Sequence, residues 1–145
     1  MKKLLISSLI CAVAFSSQAM ANDVHPMCGE TELADIMGDM KDNMKAYKKA
    51  MKAGDTEAMN AVVTDLLANI DKSDDLIPLQ ISDNKELSAE QQADFEKYQK
   101  GMAFLQGAVE ELGKATNDDE RKAALGKIGK ASKQGHKAYK MDCED

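Results

Sequence analysis

The stretch TELADIMGDMKDNMKAYKKAMKA, residues 31–53, decides the fold class. Its apolar side chains are Leu33, Ile36, Met37, Met40, Met44, Tyr47 and Met51. Their three- and four-residue steps draw one stripe along an α-helix, not the alternation of a strand. Gly54 can end this helix in a left-handed turn, and Asp55 or Thr56 can cap the next. That second helix is expected from about Glu57 to Ser73, with Met59, Val62, Val63, Leu66, Leu67 and Ile70 on its stripe. A longer connection, Asp74 to Leu87, contains Pro78. Ser88 followed by Gln91 is a capping box, so a third helix starts there. Its stripe of Phe95, Tyr98, Met102, Leu105, Val109 and Leu112 alternates steps of three and four, the spacing of a bundle seam. Asn117 or Asp118 opens a fourth helix with acidic residues in its first turn, where they complement the helix dipole. Its stripe is Leu125, Ile128, Ser132, His136 and Tyr139. Four helices joined by two short connections and one moderate one predict an all-α fold, an antiparallel up-down-up-down four-helix bundle.

The N-terminus reads differently. Lys2 and Lys3 precede an apolar run from Leu4 to Phe15, and a polar stretch ends in Ala19-Met20-Ala21. That is the pattern of a cleaved secretory signal over residues 1–21, leaving residues 22–145 as a single domain. The apolar run is too short to serve as a membrane anchor, and no membrane insertion is expected. The expected location is the periplasm. Removing the signal takes away two lysines, so the formal charge moves from −6 for the full chain to −8. Such a balance argues against nucleic acid and against anionic lipid. Cys11 leaves too, and Cys28 and Cys143 remain in a compartment that permits disulfides.

The two ends of the domain carry matched spacings. Met37 lies nine residues after Cys28, and His136 lies seven before Cys143. In the expected topology the first and last helices are antiparallel neighbours. Their cysteines then meet at one end, with Met37 and His136 facing each other two to three turns further in. A disulfide between Cys28 and Cys143 tests that register; a link between two subunits is the other use of these thiols. The plain reading of His136 is a satisfied core histidine, and that of Met37 is core filling. Gly129, Ser132 and Gly135 leave little side-chain volume beside His136. Either the helices approach closely there, or space is left for something flat and large. Methionine and histidine on opposite sides are one way to hold haem iron.

Three short runs carry a resemblance: Met37-Gly-Asp-Met-Lys-Asp-Asn-Met-Lys in the first helix, Gly101-Met-Ala-Phe-Leu-Gln-Gly with Val109-Glu-Glu in the third, and His136-Lys-Ala-Tyr-Lys in the fourth. Through them the chain resembles the cytochrome b562 family over about Thr31 to Lys140. The resemblance implies one non-covalent haem b per chain, axial ligation by Met37 and His136, and electron transfer with a redox protein as partner. A well-known member of that family has an arginine one turn before the ligand histidine and another four residues after it. Ser132 and Lys140 stand in those places. Met102 stands where a phenylalanine packs on the haem, with Phe104 close by, and the cysteine pair is an addition.

Covalent haem attachment would need Cys-x-x-Cys-His, and neither cysteine lies in that arrangement. No nucleophile elbow or metalloprotease motif is present, and His25 and His136 offer little for acid–base work, so the chain is read as a non-enzyme and a monomer. Two other readings compete. Met27, Met37, Met40 and Met44, with His25 upstream, are soft donors that suit Cu(I). A haem-free structural or chaperone-like bundle is the third. His25 itself reads as an ordinary surface histidine.

Overall fold

A computed structural model of the chain describes residues 25–141 and 143. The expected signal segment, Cys11 and the expected start of the domain at Asn22 lie outside them. The described residues form four helices and no strand: α1 (Glu32–Ala53), α2 (Thr56–Asp74), α3 (Ala89–Lys114) and α4 (Asp118–Tyr139). All four begin where the sequence supplies a cap. Side-chain oxygens of Thr31, Asp55, Ser88 and Asn117 each accept from a backbone N–H in the first turn, three residues on. At Ser88 the reciprocal bond from Gln91 completes the capping box. Gly54 closes α1 at φ 69°, a conformation that a side chain disfavours, and its N–H donates to the Ala50 and Met51 carbonyls.

Cross-helix contacts set the directions. Val63 of α2 lies against Gly113 of α3, and the Tyr98 hydroxyl of α3 donates to the Ser73 carbonyl of α2 at 2.8 Å. Lys127 of α4 binds Glu111 of α3, and Tyr139 donates to the Asp94 carbonyl at 3.5 Å. Rising numbers meet falling numbers in both pairs, so consecutive helices are antiparallel. The core runs along the axis. Tyr47, Leu66, Ile70, Val109 and Leu112 are essentially inaccessible, joined by Ile36, Met40, Met59, Tyr98 and Ile128. Each such burial stabilises by about 1.5–3 kcal/mol.

The α2–α3 connection does more than join. Pro78 is buried there, Leu76 and Ile81 pack on the core, and the Ile81 carbonyl accepts from Gln91. This connection, the start of α1 and the end of α4 share one end of the bundle. Phe95 stacks on Tyr98, and Tyr139 meets Tyr98 edge-on with ring centroids 5.4 Å apart.

Packing is uneven around the bundle. α1 packs on α2, α2 on α3 and α3 on α4, but no Cα of α1 comes within 8 Å of one in α4. Close packing between the first and last helices, as the short connections suggested, is therefore absent. α4 shows it most: Ala124 and Ile128 are buried, but from Gly129 to Tyr139 none of its residues is fully buried.

Candidate cofactor site at the seam between α1 and α4

Two contacts bracket the open seam. At one end Cys28 and Cys143 form a disulfide within the chain, with Cα atoms 5.6 Å apart. Further along, the Arg121 guanidinium of α4 lies close enough to the Tyr47 phenol of α1 to oppose the upward pull of burial on its pKa. The Arg121 side chain is only 17 % exposed. Nothing in the sequence singled out this contact. A basic residue near a helix N-terminus opposes the dipole and reads as surface, and only the tertiary arrangement brings a tyrosine to it.

Met37 and His136 both border the seam. On α1, Asp39 and Asn43 line a groove shared with α2, which marks the α2 side of the helix. At about 100° per residue, Met37 and Met44 lie on the opposite side of Met40, toward α4. On α4, Lys127 marks the side toward α3 through its ion pair with Glu111. His136 is turned by about 80° from Ile128 in the other sense, toward α1. Met37 stands five residues inside α1 and His136 three residues inside α4, each about one turn from the end of the bundle that the disulfide ties.

Their surroundings differ from the expectation. Met37 is half-buried and packs on the core, as its stripe foretold. His136 is exposed and so is Ser132, although both continue the apolar stripe of α4. The reason is the missing neighbour: a stripe residue is buried only if another helix covers it, and α1 stands too far away. No hydrogen bond or ion pair engages the His136 imidazole among the described residues, so the satisfied core histidine is excluded. The glycines beside it do not mark close helix approach either. A Cβ built on Gly129 or Gly135 meets nothing within 4 Å, and Gly135 occupies a core-facing position. The volume on that side of α4 is open.

The other singled-out residues fall elsewhere. Met102 is buried and borders a groove of about 510 Å³ between α2 and α3, while Phe104 is 49 % exposed. Neither this groove nor the one between α1 and α2 includes Met37 or His136. The methionines proposed for copper do not share an environment, since Met40 is 8 % exposed in the core and Met27 is 49 % exposed. His25 accepts from the Met27 N–H and lies 3.7 Å from Asp83, so it ties the N-terminal turn to the α2–α3 connection. No group of three or more His, Cys, Asp or Glu side chains among the described residues is arranged to hold a metal ion.

Helical register turns the Met37 thioether and the His136 imidazole toward a seam without close backbone packing, donors whose chemistry would suit a flat, iron-centred group. The donor chemistry and the open volume fit haem. The profile of the family described as cytochrome b562 matches residues 32–140 of the chain, from the first residue of α1 to the cap of α4. The chain belongs to the cytochrome b562 family, whose members are haem b electron carriers and generally not enzymes. No curated protein and no solved structure matches it significantly. No helix among the described residues is long and apolar enough to cross a membrane.

Proposed function

We propose that this chain is an exported, periplasmic b-type cytochrome that holds one haem non-covalently in the α1–α4 seam, with Met37 and His136 as axial ligands. It acts as a monomeric electron carrier for a redox protein. The observation that carries the reading is the open seam itself: the two helices that present these donors toward each other are the neighbours that do not close on one another. When bound, haem would supply a one-electron couple, and Met37 and His136 would hold its iron.

The chain's own residues do the rest. Met37 offers a thioether from a half-buried position where water competes weakly. His136 offers an imidazole free of other partners, so ligation breaks no existing bond. Leu33, Met44 and Leu125, partly buried and packed on the core, supply an apolar lining for a porphyrin face. The disulfide holds the ends of both helices together, and Arg121 with Tyr47 limits the slot at the other side. Residues 1–21 serve as the export signal and are removed.

Haem titration of the purified protein, read in the visible spectrum before and after dithionite, tests this. One equivalent should bind, with a sharp low-spin α-band on reduction. His136→Ala and Met37→Ala should each lose the six-coordinate spectrum. A His136→Ala variant with an unchanged spectrum refutes the ligand assignment, and no low-spin band in the parent refutes the function.

A further inference from the structure

The charge of this molecule is separated along its fold. Residues 121–140 contain seven of the 19 basic side chains and none of the 25 acidic ones. That segment carries +7 and the remainder of the full chain −13. Within it, Arg121, Lys122 and Lys127 are paired with Asp118, Asp119 and Glu111. Lys130, Lys133, Lys137 and Lys140 are exposed, and none has an ion-pair partner among the described residues. Their steps of three, four and three place them in one row along the helix. Lys130, Lys133 and Lys137 are turned by about 140–200° from Ile128, away from the core, whereas Lys140, at about 120°, lies nearest the seam. His136 lies between Lys133 and Lys137 in sequence and borders the row on its seam side.

We propose that this row on α4 is the docking surface for a protein partner that presents a compact cluster of carboxylates. The proposal rests on the electron-carrier reading, because such a partner sits within about one helix diameter, 10–12 Å, of the His136 edge. Charge complementarity selects the occupant. Complementary patches steer encounter and fix orientation more than they add raw affinity, which suits a carrier that must bind and release quickly. An anionic lipid plane is the poorer match. It is extended and would bring its charge against the acidic remainder of the molecule, whereas a compact acidic patch meets α4 alone. Asp142, Glu144 and Asp145 follow the row in sequence, so Lys130, Lys133 and Lys137, further from them, form its centre.

The test titrates the full chain, isotope-labelled for NMR, with an acidic blue-copper protein in its Cu(I) form, once haem-free and once haem-loaded. At about 10 mM salt the Debye length is roughly 30 Å, and at 0.15 M it is about 8 Å. Amide shifts should concentrate in residues 129–140, and the affinity should fall at least tenfold between those two salt levels. Lys133→Glu with Lys137→Glu should weaken binding at least tenfold. Lys52→Glu with Lys114→Glu moves the net charge equally at the far end of the bundle and should change binding less than twofold. Equal losses in both double variants, shifts centred elsewhere, or no salt-dependent association overturn the surface. So does binding of phosphatidylglycerol vesicles, lost in Lys133→Glu/Lys137→Glu, without binding of the copper protein. If the haem-free chain docks through α4 but no haem is taken up, the surface stands and the electron-carrier reading falls.

Discussion

Replacing Cys28 and Cys143 by serine removes the only covalent tie between α1 and α4 among the described residues. Those helices have no close backbone packing to compensate. The bond closes a loop of 115 residues. Chain entropy for such a loop gives about 16 cal/mol/K, or about 4.8 kcal/mol at 25 °C, as the upper figure for the loss. An unfolding entropy of about 2.1 cal/mol/K per residue, over roughly 117 residues, makes each kcal/mol worth about 4 °C. The thermal midpoint should therefore fall by up to about 20 °C. Circular dichroism at 222 nm, followed on heating for the midpoint and in urea for the free energy, compares the parent, the double serine variant and the parent reduced with a phosphine. The variant and the reduced parent should agree, and their slope against urea should rise, because an uncrosslinked denatured chain exposes more surface. A loss below about 1 kcal/mol would show that the disulfide does not restrain the denatured chain as a loop of this size must.

Two glycine substitutions should move in opposite directions. Gly113→Ala puts a Cβ 2.9 Å from the Cγ1 of Val63, a stiff β-branched side chain, so overpacking costs about 1–3 kcal/mol and outweighs helix propensity. Gly126→Ala meets nothing within 4 Å and should stabilise by about 0.5–1 kcal/mol; urea midpoints of the pair decide. The third expectation concerns pH. Burial pushes the Tyr98 phenol well above its ordinary value, so the folded state holds this proton more tightly than the unfolded state. Stability from this group is complete below the unfolded pKa of about 10 and falls as pH rises beyond it. Tyr98→Phe should flatten that alkaline fall in urea titrations from pH 8 to 11. It should also lose stability at pH 7, where the bond to the Ser73 carbonyl is worth about 0.5–1.5 kcal/mol.

Much of the bundle was legible in the sequence because its rules are local. Thr31, Asp55, Ser88 and Asn117 start the helices through bonds that reach only three residues ahead, and Gly54 stops α1 through its own φ. The apolar spacing of α1, α2 and α3 names their buried faces, since any partner helix covers the same stripe. The cysteine spacing placed both thiols at one end of the bundle, where the Cys28–Cys143 bond lies. Cys28 sits in a turn before α1 and Cys143 beyond the end of α4, so uniform helical rise does not carry that register. What a stripe cannot say is whether its partner comes close. Ser132 and His136 sit at core positions of α4 yet are exposed, because α1 is held away from them over their whole length. The thinning of that stripe after Ile128 was the one local hint. The distance between the first and last helices is set by how all four helices pack, with Arg121 lying near Tyr47 away from the disulfide end. Periodicity along one helix determined which residues can face a neighbour; the gap that turns two of those residues into a candidate haem site exists only in the assembled bundle.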